Sequence, residues 1–281
     1  MMRSCFFIVL ILLATRLTSC AQVPAVPSVS QTTPFVLGVI QQVHSDQLGE
    51  NRLLNIYLPE GYSSDSTTTY PVIYLLDGSA NEDFIHIVGL VQFLTMIGVM
   101  PKSIVVGIAN VDRRRDFTYP TTIAKDKKDF PTTGGSAPFM AFLEKELQPF
   151  IRSGYRTSGV KTLIGQSLGG LLATEILLHH PDLFDNYIIV SPSLWWDNES
   201  LLTALKSQNK QSIMKPTNVY VSVGNEGKQM ENDAQTLADL LQRTNPSNLT
   251  VQYVYLPDEN HLTILHRSVY RAFELFYPKK K

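Results

Sequence analysis

The stretch around residue 167 restricts this chain more than any other. The run Lys161-Thr162-Leu163-Ile164 leads into Gly165-Gln166-Ser167-Leu168-Gly169-Gly170, and Leu171-Leu172-Ala173-Thr174-Glu175-Ile176-Leu177-Leu178 follows with helical character. A strand that turns into a helix through Gly-x-Ser-x-Gly bends so sharply that side chains beside the serine would collide. Glycines two residues before and two after relieve the clash. The turn lifts Ser167 Oγ off the end of a sheet. The helix that follows offers a positive dipole end and an unbonded N–H from Leu168. The competing reading is a glycine-rich loop that happens to contain serine, and the rest of the chain decides between them.

Strand-like and helical runs alternate on both sides of this turn. Two antiparallel-type strands, residues 35–44 and 52–58, are joined by Asp46-Gln47-Leu48-Gly49. Near-continuous apolar strands are expected at 71–76, 103–109, 161–164, 187–190, 219–223 and 250–256, the composition of strands covered on both faces. Helices are expected at 83–98, 138–152, 168–180, 198–207, 229–243 and 262–276. This alternation implies right-handed crossovers, an α/β class and a mostly parallel eight-stranded sheet with helices on both faces. With 281 residues, 44% hydrophobic and 17% charged, the chain can bury one sizeable core. Residues 35–281 read as one domain.

The N-terminus follows a different pattern. Arg3 precedes an apolar run from Cys5 to Ala14, and then comes Leu17-Thr18-Ser19-Cys20. A run this short suits a signal h-region, whereas a membrane span needs about 20 residues. Small residues before a cysteine suggest lipid processing, with 1–19 removed as a signal and Cys20 acylated. Cys5 would leave with the signal, so the remaining cysteine can form no internal disulfide. Residues 20–34, with Pro24, Pro27 and Pro34, read as a flexible tether. The expectation is an exported protein held on the bacterial cell envelope by an N-terminal lipid. A net charge of −1 and a pI near 6.6 exclude an electrostatic case for nucleic acid.

A serine hydroxyl becomes a nucleophile when a base takes its proton, and histidine suits that task near neutral pH. Of six histidines, His261 lies on the loop after the last strand, which returns to the sheet end where the serine turn opens. His179 and His180 close the helix after Ser167, and His44 and His86 precede the serine. His266 falls inside the final helix. The spacing of His261 and His266 does not put both on one helical face, so neither metal nor cofactor is expected. The orienting carboxylate should follow the strand before last, which makes Glu226 in Val223-Gly224-Asn225-Glu226-Gly227 the first candidate. Asp233, Asp258, Glu259 and a Ser-His pair without an acid remain open. An oxyanion needs a second N–H besides that of Leu168, and one such donor can be worth about 3 kcal/mol. Gly78 or Ser79, after the 71–76 strand, is placed to supply it.

Four motifs together carry a family resemblance: Tyr74-Leu75-Leu76-Asp77-Gly78, Arg113-Arg114-Arg115-Asp116-Phe117-Thr118, the Gly165–Gly170 turn, and Ser191-Pro192-Ser193-Leu194-Trp195-Trp196. Over residues 35–277 the chain resembles the esterase family of α/β-hydrolases, closest to its enterobactin-type siderophore esterase branch. Feruloyl esterases, S-formylglutathione hydrolases and mycolyltransferases belong to the same family. The resemblance implies the α/β-hydrolase fold, Ser167 as nucleophile, His261 as base, and a small-molecule ester substrate such as a siderophore trilactone or an aryl or acyl ester. Arg113 and Arg115 could fork onto an anionic or catecholate group, or Arg115 could pair with Asp116 to hold the loop. Trp195 and Trp196 could wall a planar substrate or pack in the core. Acyl transfer by the same machinery, and an exported binding module that has lost the chemistry, are the alternative functions.

Overall fold

The computed structural model describes residues 31–207, 213–244 and 247–278, so the expected signal segment 1–19 and Cys20 lie outside the described residues. The compact unit Leu37–Lys281 is built on eight strands: β1 Val39–Ser45, β2 Glu50–Tyr57, β3 Tyr70–Leu75, β4 Ile104–Ile108, β5 Thr157–Gln166, β6 Asn186–Val190, β7 Thr217–Gly224 and β8 Leu249–Leu256. They form one sheet in the order β1-β2-β4-β3-β5-β6-β7-β8. The pairs β1/β2 and β2/β4 are antiparallel, and every later pair is parallel. This is the α/β-hydrolase arrangement, with the serine turn at the end of β5.

The helices are α1 Phe84–Met96, α2 Arg113–Asp116, α3 Ala124–Asp129, α4 Ser136–Phe142, α5 Gln148–Gly154, α6 Leu168–His179, α7 Ser200–Ser207, α8 Lys228–Thr244 and α9 Ile264–Phe276. Alternation along each strand sorts the core into two layers. Val72, Tyr74, Leu163, Ile189 and Val221 face the side covered by α4 to α8. Ile73, Leu75, Ile164, Ile188 and Tyr220 face α1 and α9. Both faces are therefore apolar, which explains the near-continuous hydrophobic runs.

The structure differs from expectation at several places, among them β5, which runs Thr157–Gln166 where 161–164 was expected. Residues 138–152 form two helices, α4 and α5, joined by a π-helical turn over Leu143–Leu147. The first strand begins at Val39 and not at 35. The short helices α2 and α3 were not expected, because their residues are charged and lack apolar periodicity.

Local sterics set the serine turn. Ser167 has φ +60°, an unfavourable region for a residue with a side chain. A Cβ on Gly165 would lie 2.3 Å from the Gly169 carbonyl oxygen, so nothing larger than glycine fits there. At Gly169 the nearest atoms to such a Cβ are 3.5 Å away, which is ordinary contact. The second glycine of the motif is thus not a steric requirement of the turn. The close approach on the helix side falls instead at Gly170, whose Cβ would sit 3.0 Å from Pro192 Cα.

Candidate active site

The ends of β3, β5, β6, β7 and β8 converge on one side of the sheet. β5 delivers Ser167, and the loop after β8 delivers His261. Both line a cleft of about 420 Å³ together with Asp77, Glu82, Asp83, Arg113, Gln166 and Leu262. Ser167 Oγ makes its hydrogen bond with Ser193 Oγ, 3.3 Å away. Ser193 N–H in turn donates to the Ser167 carbonyl at 3.0 Å, which ties the loop after β6 to the turn.

Glu226 reaches His261 from the end of β7. Its Oε2 lies 2.5 Å from His261 Nδ1, with the Glu226 side chain 3% exposed and the imidazole 41% exposed. Glu226 Oε1 accepts from Ser191 Oγ at 2.5 Å and from the Gly224 N–H at 3.0 Å. Burial pushes this carboxyl up, but the hydrogen bonds from His261, Ser191 and Gly224 together outweigh it and hold the group below the ordinary carboxylate range. The other acids weighed from the sequence sit elsewhere. Asp233 is buried on α8, Glu259 pairs with Arg267 at 3.1 Å, and Asp258 is exposed. The imidazole is also placed through its backbone, because Gln166 Nε2 donates to the His261 carbonyl.

Candidate oxyanion donors separate on hydrogen bonding. Leu168 opens α6, so its N–H has no intrahelical acceptor. The Gly78 N–H is committed to the Ile108 carbonyl at 3.0 Å, which removes Gly78 from the candidates. Ser79 N–H makes only a long contact, 3.4 Å, to Glu82 Oε2 and remains available.

The three consecutive arginines have three different environments. Arg113 forks onto Asp77, Nε to Oδ1 at 2.6 Å and Nη2 to Oδ2 at 2.9 Å, and also donates to the Gln166 carbonyl at 3.3 Å. Burial works against this cation, but Asp77, with Glu82 and Asp83 adding to it, raises its pKa overall. Arg114 lies over the Phe130 ring, 4.9 Å from its centroid. Arg115 bonds Asp116 and Glu50, which also hold the fully buried Arg52. Of the two readings open for Arg115, the pair with Asp116 that holds the loop is the one present, and it anchors α2; Arg113 lines the cleft while its fork holds the Asp77 loop. Asp77 itself has φ +54°, so the ion pair secures a strained residue.

Trp196 is fully buried, with Nε1 donating to the Tyr119 carbonyl at 3.0 Å. It belongs to the core and offers no face to a substrate, which corrects the aromatic-wall reading for this residue. Half-buried Trp195 packs with Phe130 at 6.0 Å between centroids, and neither tryptophan lines the cleft. Sequence reasoning did not single out Ser191, Ser193 or Gln166. Ser191 and Ser193 stood in view within Ser191-Pro192-Ser193, but nothing local shows that a hydroxyl after β6 meets a carboxylate after β7. Among the described residues, no group of three or more His, Cys, Asp or Glu side chains is placed to hold a metal ion.

The arrangement places a hydroxyl on a strained turn and an imidazole backed by a buried carboxylate on one cleft, with the Leu168 N–H free of any intrahelical acceptor. That is the equipment of acyl chemistry. Comparison with known proteins points the same way. The family model described as "Putative esterase" matches residues 45–269. The ferri-bacillibactin esterase BesA of Bacillus subtilis is 30% identical over 250 residues, 79% of this chain and 84% of that protein. The siderophore triacetylfusarinine C esterase of Aspergillus fumigatus is 29% identical over 193 residues, 62% of this chain and 63% of that protein. Among solved structures, an IroE-like serine hydrolase from Shewanella oneidensis matches with a TM-score of 0.78 and 34% identity, over 85% of this chain and 80% of that one.

Proposed function

The chain belongs to the esterase family and is a carboxylic ester hydrolase, and from that premise we propose that Ser167, His261 and Glu226 form its catalytic triad. Ser167 Oγ exchanges its Ser193 hydrogen bond for His261 and attacks the ester carbonyl carbon as the imidazole takes its proton. Leu168 and Ser79 N–H groups receive the negative charge that develops on the carbonyl oxygen. The intermediate collapses by breaking the bond to the alcohol oxygen, and His261 returns the proton to it. Water, deprotonated by the same imidazole, then attacks the acyl-enzyme and releases the carboxylic acid and Ser167. Glu226 keeps Nδ1–H bonded and stabilises the imidazolium that forms at each step. The observation that carries this reading is the Glu226–His261 hydrogen bond on the cleft that also holds Ser167.

The relatives' named activities support an ester of siderophore type, such as a catecholate trilactone, with an aryl or acyl ester as the alternative. Acyl transfer to an alcohol is the second use of the same acyl-enzyme. Outside the described residues, the segment Leu17-Thr18-Ser19-Cys20 supports export and acylation of Cys20. Metabolic labelling with a fatty-acid analogue that requires Cys20 supports that anchor. Equal labelling of wild type and Cys20→Ser argues against it.

The catalytic assignment is tested with a fluorophosphonate probe and a panel of short acyl, feruloyl and catecholate trilactone esters. Wild type should label at Ser167 and hydrolyse at least one class. Ser167→Ala and His261→Ala should fold and fall near background, because triad members act as a unit and single losses cost orders of magnitude. Activity above about a tenth of wild type in either variant would contradict the assignment. Added alcohols that divert the acyl group from water would favour acyl transfer.

A further inference from the structure

The cleft that holds Ser167 and His261 carries more negative charge on its lining than its one arginine can offset. Asp77, Glu82 and Asp83 line it with Arg113, whose Nε and Nη2 are spent on Asp77. Glu82 is exposed and has only long contacts, 3.4 Å from Ser79 N–H and 3.4–3.5 Å from Asn110 Nδ2. Its ion pairs among the described residues number none within 4.0 Å, whereas Asp83 meets His86 Nε2 at 3.2 Å. Glu226, bonded to His261, adds a further carboxylate next to the cleft. Exposed Leu262 on the rim brings no charge.

The site is defined by Ser167 and His261; the carboxylates act on what that site admits. We propose that Glu82 and Asp83 select substrates by charge, favouring esters whose group beside the scissile bond is cationic or an uncharged hydrogen-bond donor and disfavouring an anionic group there. This inference rests on the esterase reading of the same cleft. The physical basis is simple repulsion: an anion entering the cleft approaches two carboxylates, and the one lining guanidinium already has its charge paired with Asp77. The same field favours departure of the carboxylate product that hydrolysis creates. Glu82 also has a local role, since its N–H donates to the Ser79 carbonyl at 3.0 Å while its carboxylate faces the Ser79 N–H. Glu82→Gln separates the two roles, because glutamine keeps the acceptor and loses the charge.

The test uses three 4-nitrophenyl esters of matched length ending in a methyl, a trimethylammonium or a carboxylate group, assayed with the full-length protein. At low salt, kcat/KM for the cationic ester should exceed that for the anionic one by roughly ten-fold or more, and the ratio should shrink several-fold near 0.5 M salt as the charges are screened. Glu82→Gln combined with Asp83→Asn should bring the ratio toward one. A wild-type ratio at or below one overturns the proposal, as does a ratio that survives both salt and the two substitutions. The salt series on wild type decides the matter even where a variant folds poorly. Hydrolysis of the neutral ester without charge discrimination sinks only this inference. Failure to hydrolyse any of the three, with no fluorophosphonate labelling of Ser167 and no hydrolysis of the feruloyl or trilactone esters, sinks the esterase reading beneath it.

Discussion

Glu226 and His261 are 35 residues apart in sequence, yet Oε2 of the one lies 2.5 Å from Nδ1 of the other. The contact joins the ends of adjacent parallel strands, β7 and β8. Ser191 Oγ and the Gly224 N–H fix the second carboxylate oxygen, so the acid presents one lone-pair direction to the imidazole.

Glu226→Gln should keep size and packing and lose the charge that stabilises the imidazolium. The turnover number should fall by the equivalent of roughly 3 kcal/mol or more, on the precedent of triad acids. Thermal unfolding should move little. A loss of only a few-fold would mean that Ser167 and His261 work as a pair.

Ser191→Ala removes a fully buried hydroxyl that donates to Glu226. A hydrogen bond to a charged group contributes about 1.5–3 kcal/mol, and only part of that should reach the transition state. We expect kcat to fall by roughly ten-fold with KM nearly unchanged, measured by steady-state kinetics on a short acyl ester. An equal loss in Glu226→Gln and the double variant would show that Ser191 acts through the carboxylate.

Gly165→Ala and Gly169→Ala should behave oppositely although both alter the same motif. The first drives a Cβ to 2.3 Å from the Gly169 oxygen, an overpacking that costs about 1–3 kcal/mol or more and displaces the turn. The second meets nothing closer than 3.5 Å and places alanine in a helix, where it is favoured over glycine by up to about 1 kcal/mol. Urea unfolding of both variants, with the activity of each, checks this.

Glu175 on α6 predicts a pH dependence of stability. It is 6% exposed, accepts from Ser136 Oγ at 3.0 Å, and has Oε2 without a partner. Burial pushes its pKa up to about 7, against the smaller opposing effect of the Ser136 hydrogen bond. Because the folded pKa is raised, the unfolded chain ionises first as pH rises from about 4.5. The stabilising effect of the protonated native carboxyl is therefore lost between about pH 4.5 and 7, at a cost on the order of 3 kcal/mol. Asp233, raised to about 6 by burial and by Glu199, works in the same direction. His179 and His266, whose pKa values burial lowers, work against it. The difference between wild type and Glu175→Gln in urea unfolding at pH 5 and pH 8 isolates Glu175. An identical pH response in the two proteins would remove the group from the account.

The succession of strands along the chain, the serine turn after the fifth and the position of His261 on the loop after the last were legible from the sequence. Each rests on local information: apolar runs imply strands covered on both faces, and a Gly-x-Ser-x-Gly between strand and helix has few conformations. Glu226 could be named only as first among several acids, since strand order places it but not its rotamer. Only the tertiary structure decided where long side chains and single N–H groups are spent. Arg113, Arg114 and Arg115 are chemically alike and adjacent, yet their partners are Asp77, Phe130 and the Glu50–Asp116 pair. Gly78 and Ser79 are neighbours, and a carbonyl on β4 takes the N–H of the first while leaving the second available. Backbone pattern repeats along the chain and can be read there; hydrogen-bond partnership crosses from one strand end to the next, and the folded sheet alone brings those ends together.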